Sequence, residues 1–69
     1  GKKKLIVFFS DSFDPKLLKK ILKKISNELE FYCILINVKN TIYLSEKYEI
    51  LFNKEFKNPN RNIKIFKIK

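Results

Sequence analysis

The chain has 69 residues, enough for one small domain over residues 1–69 and too few for a second core. Histidine is absent and there is a single glycine, which excludes histidine-dependent catalytic triads, histidine-ligated zinc and glycine-rich phosphate loops. The net charge of +9, from sixteen basic and seven acidic residues, favours a polyanionic partner. Gly1 stands where a starting Met is expected, which suggests a cloning remnant or a cleaved product.

The first predicted elements are a strand over residues 4–9 and a helix over about 15–29. The strand, KLIVFF, is a continuous apolar run that is too short for a helix. Asp14 suits the N-cap of the helix, and Pro15 suits its first position. Apolar residues then recur at helical spacing, which predicts one apolar stripe facing a core. They are Leu17, Leu18, Ile21, Leu22, Ile25 and Leu29.

A second apolar run, FYCILINV, predicts a strand over residues 31–38, and a turn at 39–40 leads to a short third strand over 41–45. Residues 45–57 fit two patterns. Their apolar spacing favours a helix slightly, while Tyr48, Ile50 and Phe52 alternate as in a strand. Asn58-Pro59 and the asparagines that follow break regular structure. Residues 63–69 then predict a final strand whose lysines suit a sheet edge.

The predicted order is β-α-β-β-α-β, a split βαβ or ferredoxin-like α+β fold with one helix-covered sheet face. If residues 45–57 form a strand, the order becomes β-α-β-β-β. Either way the helices cover one face, so one side of the apolar strands is left outward. Either Ile6 and Phe8, or Leu5, Val7 and Phe9, are expected on that side. Such a patch typically marks an interface, so a homodimer or a docking partner is expected there.

The acidic stretch around Asp11 and Asp14 lies between the first strand and the helix, where α/β proteins often place active carboxylates. Capping of the helix is the preferred interpretation, because free backbone N–H groups there need acceptors. Cys33 is expected to be a buried apolar residue, not a reactive thiol. The sequence therefore predicts no catalytic residue, no metal site, no cofactor and no enzyme activity.

The strongest functional signal is the lysine-rich polar face of the predicted helix. Like charges this close repel one another, so an anionic partner is favoured. The expected function is a basic nucleic-acid-binding module, with RNA preferred to DNA, acting as an accessory domain or subunit of a larger assembly. The alternative is a protein-interaction or oligomerisation module that uses the apolar sheet face. The expected phosphate contacts are Lys19, Lys20, Lys23 and Lys24, then Lys16, Lys2, Lys3, Lys4 and Arg61.

The cellular setting is inferred from what is missing. A single cysteine allows no internal disulfide, and no apolar run approaches the roughly 20 residues that span a bilayer. No secretory apolar segment is visible either. A cytoplasmic, intracellular protein without a membrane span is expected.

Overall fold

Four strands and two helices follow one another along residues 3–69, the part of the chain that the computed structural model describes. The elements are β1 (Lys4–Ser10), α1 (Pro15–Lys24), β2 (Glu30–Ile36), α2 (Ile42–Lys47), β3 (Glu49–Lys57) and β4 (Asn60–Lys67). The predicted class, a small α+β fold, is confirmed. The order of elements is β-α-β-α-β-β, so the predicted order is wrong between residues 41 and 57.

The strands form one mixed sheet in the order β1-β2-β4-β3. β1 and β2 are parallel, whereas β4 is antiparallel to both β2 and β3. The final strand is therefore interior, not the predicted edge strand. Lysines can occupy this interior strand for two reasons. One face of the sheet has no helix over it within residues 3–69, and on the opposite face Lys64 donates a hydrogen bond to Thr41 Oγ1 at 3.0 Å.

Both helices pack on the same face of the sheet, which we call the covered face. The side chains of Phe31, Leu35 and Phe66 on this face have no exposed surface. Leu18 of α1 and Leu44 of α2 complete the same apolar cluster. A two-layer arrangement with one helix-covered sheet face is thus present, as predicted.

Helix α1 begins as predicted but ends earlier. Asp14 Oδ1 accepts hydrogen bonds from the backbone N–H groups of Lys16 and Leu17, at 3.0 and 3.3 Å. The helix stops at Lys24, not near residue 29, since Ile25 is already extended. Ser26 then accepts a hydrogen bond from Glu28 N through its hydroxyl, a local alternative to helical bonding.

Residues 41–45 belong to α2 and not to the predicted third strand. The β-branched and aromatic residues there favour a strand on propensity, yet the backbone turns into a six-residue helix. Ser45 N donates to Thr41 O at 2.9 Å, and Asn40 Oδ1 accepts from Ile42 N. This turn places Leu44 in the core, and that burial overrides the local preference.

Residues 49–57 form strand β3, so the favoured helix over 45–57 is wrong and the alternative of a strand in this segment is the one observed. β3 pairs with β4 along its length, joined through a turn at Asn58-Pro59, which is a cis peptide. A register shift between Ile50 and Phe52 interrupts the alternation of side chains. This irregularity explains why the apolar spacing resembled a helical stripe.

The second sheet face carries no helix among the described residues, and we call it the open face. Of the two sets predicted to point outward, Ile6 and Phe8 are the exposed one, with 47% and 63% of their surface accessible. Phe9 is buried, and Leu5 and Val7 pack against the core cluster. The sheet thus has one face that is packed against the helices and one face that no helix covers within residues 3–69.

Candidate nucleic-acid interface

Two adjoining grooves lie where the parallel strands β1 and β2 end. The helix groove, about 970 Å³, lies between the start of α1 and α2. The hairpin groove, about 710 Å³, lies beside the β3–β4 turn. Asn37, Val38 and Lys39 line both grooves, so the segment after β2 joins them. The carboxyl ends of parallel strands are a common place for ligand crevices.

Two residues in left-handed backbone conformation shape this edge of the sheet. Asp11 follows β1 with φ 69°, and Asn37 follows β2 with φ 56°. Asp and Asn adopt this conformation more easily than other non-glycine residues. Asp11 N donates to Ile36 O, and Asn37 N donates to Asn62 O, both at 2.8 Å. These bonds tie the ends of β1, β2 and β4 together.

The helix groove holds a tyrosine between two lysines of different helices. Lys19 Nζ of α1 lies 5.7 Å from the centre of the Tyr43 ring, and Lys47 Nζ of α2 lies 4.4 Å from it. Lys47 also donates to Tyr43 Oη at 3.2 Å. This hydrogen bond, with the positive charges of Lys19 and Lys47, lowers the pKa of Tyr43 against the opposing effect of partial burial.

The hairpin groove carries the positive charges of the β3–β4 turn region. Lys57, Arg61 and Lys64 line it, with Glu55 as its one acidic residue. Asn62 N donates to Asn37 Oδ1 at 2.9 Å. The side-chain oxygen of Asn62 is buried without a partner among the described residues. The groove therefore presents several cationic side chains beside one carboxylate.

Together the two grooves form what we call the basic edge. Six cationic residues line it against three acidic ones, Asp11, Glu46 and Glu55, which leaves a formal excess of three positive charges. The cationic residues are Lys16, Lys19, Lys39, Lys57, Arg61 and Lys64. Such a concave surface of one dominant sign concentrates anionic ligands.

The structure divides the predicted contact residues between two ends of the molecule. Lys16, Lys19 and Arg61 meet at the basic edge, although Arg61 is far from the other two in sequence. The exposed lysines Lys20, Lys23 and Lys24 continue the polar face of α1 away from it. Lys3 and Lys4 lie at the opposite end, since Lys4 pairs with the first residue of β2. Lys2 lies outside the described residues.

Four basic residues of this region are missed by reading the sequence alone. Lys39, Lys57 and Lys64 line the grooves, and Lys47 lies over Tyr43. Each is an isolated lysine in a stretch predicted as turn, strand or ambiguous, so no local pattern marked it. The pairing of β4 with both β2 and β3 brings Lys39, Lys57 and Lys64 to the same edge, and helix α2 places Lys47 beside them.

The acidic residues Asp11 and Asp14 accept hydrogen bonds that stabilise the local structure at this edge. Asp14 caps α1, as predicted, and Asp11 Oδ2 accepts a hydrogen bond from Ser10 Oγ at 3.2 Å. Across residues 3–69, no group of three or more cysteine and acidic side chains is placed to hold a metal ion. Neither α1 nor α2 has the length and apolar character that a membrane-spanning helix requires.

Comparisons with protein-family models, with curated proteins and with solved structures found no match to this chain.

Proposed function

We propose that this chain binds nucleic acid, with RNA as the preferred ligand, through phosphate contacts at the basic edge and along α1. The observation that carries this proposal is the convergence of six cations from α1, the segment after β2 and the β3–β4 hairpin on two adjoining grooves. Lysine binds phosphate as a point charge and reads no base. The expected recognition is therefore of the backbone.

Helix α1 extends this surface. It contains five lysines and no acidic residue, and all five are exposed. Because an α-helix rises about 1.5 Å per residue, the lysines between Lys16 and Lys24 cover about 12 Å. A phosphate backbone that enters the helix groove can therefore continue along α1. The chain then acts as an accessory domain or subunit that holds an RNA within a larger assembly.

Fluorescence anisotropy with a labelled generic RNA and the matching DNA, at 50 and 200 mM salt, tests the proposal. Neutralising four to six phosphates predicts an affinity loss of about 50- to 300-fold between these salt concentrations for a single strand. The edge variant Lys16→Glu/Lys19→Glu/Lys39→Glu should abolish most binding. The ridge variant Lys20→Glu/Lys23→Glu/Lys24→Glu carries the same charge change and should reduce affinity less.

Circular dichroism of both variants provides the folding control. Absence of binding to RNA and DNA at 50 mM salt by the folded parent chain would contradict the proposed function. Equal losses in the two variants would contradict the assignment of the basic edge as the main contact surface, and would place the binding along α1 as a whole.

A second candidate function is a protein-interaction or oligomerisation module, favoured by the exposure of Ile6 and Phe8 on the open face. Binding of that kind responds to polar substitutions on the sheet and is insensitive to salt. Sedimentation velocity across a wide range of protein concentrations measures it directly, since self-association shifts the sedimentation coefficient with concentration.

A further inference from the structure

The strand register lays out the open face as rows of side chains that cross all four strands. The central row is Phe8, Ile34, Ile65 and Phe52, which are cross-strand partners in turn. Four strands about 4.8 Å apart separate the two phenylalanines of this row by about 14 Å. The central row of the open face is thus apolar, with an aromatic ring at each end.

The rings on this face are more exposed than the aliphatic side chains between them. Phe8 is 63% accessible, Phe52 41% and Phe56 39%. Ile34 and Ile65 are partly buried by their neighbours. Phe8 is therefore the most accessible of these apolar side chains, Ile6 follows at 47%, and Phe52 and Phe56 present further accessible rings.

Cations accompany these rings. Lys54 Nζ lies 5.1 Å from the centre of the Phe56 ring, and Lys4 Nζ lies 5.8 Å from that of Tyr32. Arg61 is the cross-strand partner of Phe56, so its side chain emerges on the same face. Apolar protein interfaces are depleted of charge at their core, whereas aromatic rings beside cations are the pattern of single-strand nucleic-acid surfaces.

We propose that the open face binds unpaired nucleotides, with bases stacked on Phe8, Phe52 and Phe56 and phosphates held by Lys4, Lys54 and Arg61. Only a single strand can present unstacked bases to these rings, so the chain should prefer single-stranded to duplex nucleic acid. This inference rests on the proposed function for the class of ligand, but it uses the side of the sheet opposite α1. It adds a preference that phosphate contacts alone do not provide.

Arg61 connects the two surfaces. Its side chain lines the hairpin groove and belongs to the face that carries Phe56. A strand held by phosphates in that groove can therefore continue onto the open face around the β3–β4 hairpin. The two surfaces form one path instead of two unrelated sites.

The test compares a labelled single-stranded RNA with the duplex of the same sequence, titrated against the parent chain at low salt. The variant Phe8→Leu/Phe52→Leu removes two rings and keeps the sites apolar. Loss of stacking should weaken single-strand binding by at least about tenfold, with duplex binding unchanged. Ile50→Val removes a methyl group from a half-exposed side chain of β3 that pairs with Phe66 of the covered face, and it serves as the control, with neither affinity changed.

Three results would overturn this inference. Equal affinity for single strand and duplex, unaffected by the leucine variant, leaves the proposed function intact and removes the stacking surface. A concentration-dependent dimer that the leucine variant dissociates assigns the open face to a second copy of the chain. Absence of binding to either RNA by the parent chain overturns the proposed function and this inference together.

Discussion

The two faces of the sheet are built from alternate residues of the same strands, yet one face is buried and the other is exposed. On β2, Phe31, Cys33 and Leu35 point to the covered face and have no exposed surface. Tyr32 and Ile34, their immediate neighbours, point to the open face. The amino-acid types on both sides are apolar, so hydrophobicity alone does not distinguish the buried surface from the exposed one. What distinguishes them is whether the chain supplies a helix to cover them.

The two faces also differ in how much they contribute to folding. The helices secure one side of the sheet, which leaves the other side free to carry exposed rings and lysines at little cost to folding. Placing charge next to rings is compatible with the open face and would be costly on the covered one. Substitutions on the two faces should therefore act on different properties.

The largest expected difference between the faces is in stability. Phe66→Ala removes a fully buried ring from the covered face and should lower the free energy of unfolding by about 3–5 kcal/mol. Phe8→Ala removes a ring that is mostly exposed and should cost less than about 1 kcal/mol. Urea denaturation of both variants measures the difference. Similar costs for the two would show that the open face is packed against something in solution.

A second contrast concerns the chemistry of Cys33 on the covered face. Burial raises the pKa of its thiol from 9.0 to about 11. Because the thiolate is the reactive form, alkylation at pH 8 should be about 100-fold slower in the folded chain than in urea. The variant Cys33→Ala/Phe8→Cys places the one thiol on the open face and should react at the rate of an unfolded chain. Equal rates for the parent and this variant would contradict the burial of Cys33.

The same pKa shift makes stability depend on pH. Between pH 9 and about 11 the unfolded chain loses the Cys33 proton while the folded chain keeps it. The free energy of unfolding should therefore be fully retained below pH 9 and fall as the pH rises through that window. Cys33→Ala should lack this part of the fall, which urea denaturation at pH 8 and pH 10 would reveal as a smaller loss than in the parent.

The smallest expected effect on stability comes from the N-cap of helix α1. Asp14→Ala removes the acceptor of the hydrogen bonds from Lys16 N and Leu17 N and should lower stability by about 1 kcal/mol. Ser12→Ala, in the same loop and exposed, should change it by less than about 0.5 kcal/mol. Thermal denaturation followed by circular dichroism compares the two. A loss of RNA binding by Asp14→Ala without a change in melting would contradict the capping role.

Much of the first half of the chain is predictable because its signals are local. Asp14 and Pro15 mark the start of α1, and the apolar runs of β1 and β2 are too short for helices. The end of α1 is less predictable: the apolar stripe continues to Leu29, but the backbone leaves the helix after Lys24. The helical spacing of apolar residues continues beyond Ser26, although the hydroxyl of Ser26 accepts a hydrogen bond that replaces helical bonding there.

The second half is decided by pairing. β3 is a strand because β4 offers it a partner along its whole length, and the irregularity between Ile50 and Phe52 conceals its alternation. α2 is a helix because Leu44 reaches the core in that conformation. Neither cause is visible in a short window of sequence, since both depend on residues brought close only by the fold.

Local patterns along the chain are enough to predict the class of the fold, the cap and the lysines of α1, and the apolar core, and the composition shows the strong positive charge. Which apolar set faces outward depends on how the helices pack against the sheet, and this set is Ile6 and Phe8. The tertiary structure also joined Arg61 to Lys16 and Lys19 through the segment around Lys39. The physical reason is that charge and periodicity are local properties, whereas a binding surface depends on strand order and register.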